Sequence, residues 1–315
     1  MQTRELGRSG IKVPVLCFGG NVFGWTADEA RSFQLLDALA EAGATFIDTA
    51  NVYSAWVPGH QGGESEAIIG RWLKARGGRD RMIIATKVGM RMGDGREGLK
   101  PDYIRVAVDE SLQRLQTDYI DLYQSHRDDE STPQEETLRA YDDLIKAGKV
   151  RAIGASNFGA TRLQEALEIS ARTGLPRYET LQPEYNLVSR TIYEGELQAI
   201  CTTNGIGVIP FFSLASGFLT GKYRSPSDLA GKARGSRVEK YLNEAGLRIL
   251  AALDAVAAEH QVKPASVALA WSMAQPGITA PIASATSVEQ LQDLLAATRL
   301  TLTDQQLRQL SEASA

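Results

Sequence analysis

Short apolar runs alternate along this chain with stretches in which apolar residues recur at helical spacing. The runs at 15–19, 45–48, 82–87, 119–124, 150–155, 180–182, 205–212 and 277–282 are brief and almost continuously apolar, and read as strands. Helical periodicity fills the intervals at 28–42, 64–75, 101–115, 133–147, 160–173 and 194–203. Two further helical patterns, 245–260 and 264–275, follow the seventh run, and 288–297 follows the eighth. Pro101 and Pro133 stand where a first helical turn accepts proline, and Gly43, Gly148 and Gly174 stand where helices should stop. Ahead of all this, Arg8-Ser9-Gly10 separates two strand-like pieces between Thr3 and Val13, a hairpin pattern. A last helical pattern, 303–312, is expected to pack across the outside or one rim.

Strands that are apolar along their whole length, alternating with helices, predict a parallel sheet buried on both faces. The question is whether that sheet is open or closed. An open doubly wound sheet places a Gly-rich phosphate loop after its first strand. Here the first run continues Gly19-Gly20-Asn21-Val22-Phe23-Gly24, with glycines at a different spacing. The predicted fold is therefore α/β, a (β/α)8 TIM barrel with an N-terminal hairpin and a C-terminal extra helix. Its 315 residues suit one such barrel, and no repeat, low-complexity run or linker divides residues 1–315 into more than one domain.

Composition narrows the function classes. The chain is 43% hydrophobic and 23% charged, ordinary for a globular protein. A net charge of −4 gives no global basic field, so nucleic acid is not an expected partner. The N-terminus lacks a signal-peptide pattern and no apolar run is long enough for a bilayer, so no membrane is expected either. Cys17 and Cys201 are too few for a disulfide framework and sit in apolar surroundings, which points to a reduced, cytoplasmic compartment. His60, His126 and His260 are scattered without paired-ligand spacing, and no metal site is expected.

Polar residues interrupt the pattern where strands end. Asp48 closes the second run and Tyr53 lies just beyond it; Lys87 ends the third run; His126 ends the fourth. In a parallel barrel the carboxyl ends of successive strands converge on one face, where the chemistry is done. Reducing a carbonyl with hydride needs a proton donor as the oxygen becomes an alkoxide. Tyrosine is a reluctant acid, with an ordinary pKa of about 10. A neighbouring ammonium lowers that value, and a carboxylate paired with the ammonium holds it in place. Tyr53, Lys87 and Asp48 are the types such a device needs, and His126 can orient the carbonyl oxygen. Each alone has an ordinary role as a cap, rim cation or loop residue. Their shared position favours catalysis.

The motifs around these residues resemble the aldo-keto reductase superfamily over nearly the whole chain. They are Phe46-Ile47-Asp48-Thr49-Ala50 through Tyr53, then Gly63-Glu64-Ser65-Glu66; Ile84-Ala85-Thr86-Lys87; Asp118-Tyr119-Ile120-Asp121-Leu122-Tyr123-Gln124-Ser125-His126; and Gly148-Lys149-Val150-Arg151-Ala152-Ile153-Gly154-Ala155-Ser156-Asn157-Phe158. The resemblance implies a (β/α)8 barrel, a nicotinamide cofactor, usually NADPH with NADH as an alternative, and the tyrosine as general acid. It further implies that Ser156, Asn157 and Gln182 bond the nicotinamide carboxamide. Phe212 is expected to stack on the ring, beside Ser213 and Leu214, with Phe211 turned to the core. The segment Ala215–Arg224 resembles the family's cofactor lid, which brings in Gly217, Lys222 and Arg224. Lys222, Arg224, Lys232, Arg234 and Arg237 face Asp228 alone between 222 and 237, an excess of positive charge suited to a phosphate. One departure stands out. The family commonly carries a cation after the last strand, whereas this chain has Ser284, Thr286 and Gln290 to hold a phosphate or ribose.

The substrate walls should come from Phe23, Trp25, Trp56, Met90 and Arg127, an aromatic funnel suited to small-molecule aldehydes or ketones. The leading expectation is reversible NADPH-dependent reduction of a carbonyl, with a homo-oligomer left open. A second is a cofactor-binding regulatory subunit of the potassium-channel β type with weak reductase activity. A third, an aldolase using Lys87 as a Schiff-base amine, conflicts with Asp48, which favours the ammonium.

Overall fold

The computed structural model describes residues 1–232 and 234–315. An antiparallel hairpin of β1 (Thr3–Glu5) and β2 (Lys12–Pro14) comes first. The main sheet runs through β3 (Cys17–Gly19), β4 (Phe46–Asp48), β5 (Ile83–Val88), β6 (Ile120–Ser125), β7 (Val150–Ser156), β8 (Tyr178–Gln182) and β9 (Gly207–Val208), with β10 (Ile282–Ala283) returning beside β3. Every pairing in this eight-stranded sheet is parallel. The ring closes where Val208 bridges Ile278 and the Ile282 N–H donates to the Pro210 carbonyl at 2.8 Å. The seventh and eighth strands are shorter than the apolar runs predict. Pro210 and Pro281 have no N–H, so each interrupts the ladder of its own strand.

Helices α1 (Glu29–Ala42), α2 (Glu64–Arg76), α3 (Pro101–Leu115), α4 (Gln134–Lys146), α5 (Ala160–Thr173) and α6 (Glu196–Asn204) follow β3 to β8 in turn. The short α7 (Gly235–Val238), then α8 (Glu244–His260) and α9 (Pro264–Met273), lie between β9 and β10; α10 (Val288–Ala297) and α11 (Asp304–Ala313) end the chain. Side chains of Asp28, Asn243, Ser287 and Thr303 accept hydrogen bonds from first-turn N–H groups that the helix leaves unpaired. α11 lies outside the barrel: Leu310 is buried, Gln306 donates to Glu259 of α8 at 2.6 Å, and Trp271 of α9 donates to Ser311 at 3.0 Å.

Strand alternation sorts the side chains into two compartments. Outward residues such as Ile84, Val88, Tyr123 and Ile153 pack against Leu36, Trp72, Val108 and Leu144 beneath the helices. Inward residues Cys17, Phe46, Ala85, Leu122, Ala152 and Ile209 make an apolar barrel floor, sealed by Leu6, Ile11 and Val13 of the hairpin. Each of the larger of these side chains, Leu6, Val13, Phe46, Leu122 and Ile209, contributes about 1.5–3 kcal/mol by its burial. The hairpin sits close enough that only glycine fits at Gly7, where a Cβ would lie 2.1 Å from the Glu179 carbonyl and φ is 62°. Above the floor the inward positions turn polar, and there the site begins. Among the described residues no helix is long and apolar enough to cross a membrane.

Candidate active site

Register places Gly19 opposite Asp48, Asp48 opposite Ala85, Lys87 opposite Gln124 and Ser156 opposite Gln182, so these strand ends lie around one mouth. Lys87 points inward because Ala85 and Lys87 share a face while Thr86 points out. Thr86 is clamped there: its hydroxyl donates to Glu66 of α2, which also accepts from Arg114 of α3 at 2.7 Å. Beyond Asp48 the chain tightens into turns. Thr49 and Ser65 share a hydrogen bond of 2.8 Å, and Ser54, at φ 74°, donates to the Phe23 carbonyl at 2.8 Å. These turns carry Tyr53 back over the strand ends.

Asp48, Lys87 and Tyr53 meet. The Lys87 Nζ donates to Asp48 Oδ2 at 2.6 Å, to the Thr49 carbonyl at 2.9 Å and to the Tyr53 hydroxyl at 2.9 Å, which uses all of its donors. Tyr53 donates to Asp48 Oδ2 at 3.3 Å. The other Asp48 oxygen accepts from Gln124 at 3.2 Å and from Gln182 at 3.0 Å. His126 stands edge-on to Tyr53, ring centroids 5.9 Å apart. Lys87 is wholly buried and Asp48 is 1% exposed, so each charge depends on the other and on these bonds.

The electrostatics differ from the expectation in one respect. Burial, then the Asp48 carboxylate, push the Tyr53 phenol well above its ordinary pKa, where a lowered value was expected from Lys87. Burial also lowers the Lys87 ammonium, which Asp48 partly offsets. Burial first, then Lys87 and Arg127, hold His126 well below its ordinary value. At neutral pH the site therefore presents a protonated phenol and a neutral imidazole, beside the Lys87 amine held 2.6 Å from Asp48.

A cavity of about 780 Å³ opens above these groups. Tyr53, His126, Trp25, Trp56 and Met90 border it, as do Ser156, Asn157, Gln182, Phe212, Ser213, Leu214 and Gly217. So do Lys222, Arg237, Ser284, Thr286 and Gln290. Asn157 sits at φ 56° and donates to the His126 carbonyl at 2.9 Å, while Ser156 donates to the Gln182 carbonyl at 2.9 Å. Phe212 is 39% exposed at φ 53°, and Phe211 both packs against the barrel floor and borders the cavity.

Three expected residues lie elsewhere. Phe23 is fully buried, stacked on Phe18 with centroids 5.6 Å apart, because its strand-end turn swings the ring into the core and leaves Trp25 at the mouth. Arg127 is drawn out of the cavity by Glu97, 2.7 Å away. Arg224 turns to Asp254 of α8, with both contacts at 2.8 Å. Conversely, Asn21, Thr26, Lys232, Arg234, Lys263, Ala265 and Asp293 border the cavity without having been assigned to it. The cation-rich stretch pointed towards Lys232 and Arg234. Nothing local pointed to Lys263, which precedes α9 and reaches the site only through the tertiary fold.

The profile of the Aldo/keto reductase family matches residues 15–315. The chain belongs to this family. It is 36% identical to an uncharacterized oxidoreductase, YrpG, of Bacillus subtilis over 99% of this chain and 95% of the relative. It is 33% identical to an L-glyceraldehyde 3-phosphate reductase of Escherichia coli over 99% of this chain and 92% of the relative. A probable voltage-gated potassium channel subunit beta of Oryza sativa is 35% identical, covering 92% of this chain and 89% of that protein. This aldo/keto reductase is an oxidoreductase, and its family reduces carbonyl groups with nicotinamide cofactors.

Proposed function

We propose that this chain reduces an aldehyde or ketone to an alcohol, reversibly, with NADPH as coenzyme and Tyr53 as general acid. The observation that carries this reading is the Tyr53 hydroxyl, 2.9 Å from a buried ammonium that is itself fixed on Asp48. A nicotinamide coenzyme, when bound, supplies the hydride. Tyr53 gives its proton to the carbonyl oxygen, and Lys87 stabilises the phenolate that remains. Asp48 holds Lys87, and the amides of Gln124 and Gln182 hold Asp48. The neutral His126 hydrogen-bonds the substrate oxygen and sets its direction. In reverse, the Tyr53 phenolate takes the proton of the alcohol.

The cavity fits the coenzyme. Lys222 and Arg234 border it with no carboxylate partner among the described residues, which suits an anion. Gln182 spends its amide nitrogen on Asp48 and Gln124, leaving Oε1 to accept from a carboxamide beside Ser156 and Asn157. Phe212 offers a ring for stacking. Lys263, which borders the same cavity as Thr286 and Gln290, supplies the positive charge for a 2′-phosphate that the segment after β10 lacks. Trp25, Trp56 and Met90 make the substrate wall. One barrel over residues 1–315 in a cytoplasmic setting completes the reading, with Cys17 and Cys201 as buried free thiols.

The test is a fluorescence titration with NADPH and NADH, followed by turnover on a panel of aldehydes and ketones. Binding of neither coenzyme sinks the proposal. The potassium-channel β relative favours a second reading, a cofactor-holding subunit. Tight NADPH binding with no turnover on any carbonyl, together with a stable tetramer, would support it instead.

A further inference from the structure

We infer that Trp25 is a positioning residue for Arg234, so that one side chain both walls the substrate pocket and sets how long the coenzyme stays bound. The inference rests on the proposed coenzyme site and goes beyond it. Arg234 lies in the segment between β9 and α7, and its guanidinium is half-buried at the cavity edge. None of the ion pairs among the described residues includes it. What holds it is weaker and uncharged: its guanidinium carbon lies 5.2 Å from the centre of the Trp25 ring. Asn21 completes the seat. With its amide turned to satisfy its neighbours, the Asn21 nitrogen donates to Gly19 O at 3.3 Å and to Ser284 Oγ at 2.7 Å, and its oxygen accepts from Arg234 Nη2 at 3.3 Å.

A guanidinium seated by an aromatic face and a neutral carbonyl keeps its charge unneutralised for an anion. It is also surrounded by like charge, since Arg237 and Lys222 act on it or feel it across the cavity. Repulsion among these cations disfavours holding the guanidinium at the cavity edge, and the Trp25 stack offsets it. The same ring continues into the substrate wall. Trp25 meets Trp56 edge-on with centroids 5.6 Å apart, and Trp56 meets Tyr53 at 6.0 Å. One run of contacts thus joins the coenzyme-facing cation to the proton donor. A residue that would otherwise count only towards carbonyl specificity therefore controls the lifetime of the binary complex.

The experiment measures NADPH release by stopped-flow fluorescence, with no carbonyl present, for the full chain and its variants. Trp25→Ala should speed release about tenfold, the effect of losing a partly desolvated cation–π contact of about 1.4 kcal/mol. Trp25→Phe, which keeps a ring face, should release near the wild-type rate. Arg234→Ala should also speed release, and adding Trp25→Ala to it should change nothing more. If Trp25→Ala fails to fold, Trp25→Leu decides, because it keeps apolar bulk without a ring face. An unchanged release rate in the folded variant, or strictly additive effects of the two substitutions, overturns the inference and leaves the coenzyme site standing. A wild-type protein that binds no NADPH overturns both.

Discussion

Tyr53 shows how two opposite effects share one hydroxyl. Burial and Asp48 keep the proton on the phenol, while in the proposed reduction Lys87, 2.9 Å away, stabilises the phenolate once the proton leaves. A donor must be protonated before the reaction and tolerable as an anion after it, and this arrangement meets both demands. Tyr53→Phe should leave NADPH binding within about twofold and lower kcat by about 10²–10⁴-fold, the usual range for a positioned general acid. Equal turnover would remove Tyr53 from the chemistry. His126 supplies the pH prediction. Its folded pKa lies well below the ordinary 6.5, so the unfolded chain binds a proton that the folded site refuses. The stability linked to neutral His126 is fully present above about pH 6.5 and is lost as pH falls from there towards the folded pKa. Unfolding free energies from denaturant titrations between about pH 7.5 and 5 should drop more steeply for wild type than for His126→Gln, by up to about 1.4 kcal/mol per pH unit below about pH 6.5. Parallel curves would refute the assignment of a neutral, buried imidazole.

At the scale of elements, what the sequence reveals depends on how local the cause is. Asp48, Lys87 and His126 were legible because each is the polar end of an apolar run, and a parallel barrel gathers such ends. The start of α3 was legible from Pro101, whereas Pro133 stands one residue ahead of α4 as its cap. The strands around Pro210 and Pro281 were overestimated, since apolar character continues past residues that cannot donate to a ladder. Arg127 and Arg224 looked like cavity cations until carboxylates far along the chain, Glu97 and Asp254, claimed them. Lys263 is the converse case. It precedes Pro264 at the start of α9, far in sequence from every motif, and the tertiary fold, with α9 packed on α10, brings it to the cavity that Thr286 and Gln290 also border. On the proposed coenzyme reading, Lys263 is the selector between NADPH and NADH. Lys263→Ala should weaken NADPH binding about fivefold and leave NADH unchanged, the size of a solvent-exposed ionic contact. Equal losses for both coenzymes would place Lys263 away from the 2′-phosphate.

Over the whole molecule, sign and location of charge pull apart. The chain carries a net charge of −4, which alone would repel an anionic coenzyme. Yet Lys222, Lys232, Arg234, Arg237 and Lys263 border the cavity, against Asp293 and an Asp48 already paired to Lys87. These cations come from the segments around α7 and from the start of α9, so the barrel closure that brings β10 back to β3 also assembles the field. A concave wall of one sign concentrates field lines and speeds the arrival of an oppositely charged ligand, whatever the net charge of the remainder. Salt separates the two influences, because the screening length falls to about 10 Å at 0.1 M. If net charge governed the encounter, added salt would relieve repulsion and speed NADPH association. The local field predicts the opposite: association of NADPH should slow about tenfold between about 20 mM and 0.3 M salt, and that of NADH, one phosphate poorer, should slow less. Stopped-flow association rates across that range decide the matter. An NADPH rate that rises with salt would mean the cations around the cavity are too well solvated to steer, and would leave coenzyme affinity to the contacts at Ser156, Asn157 and Phe212.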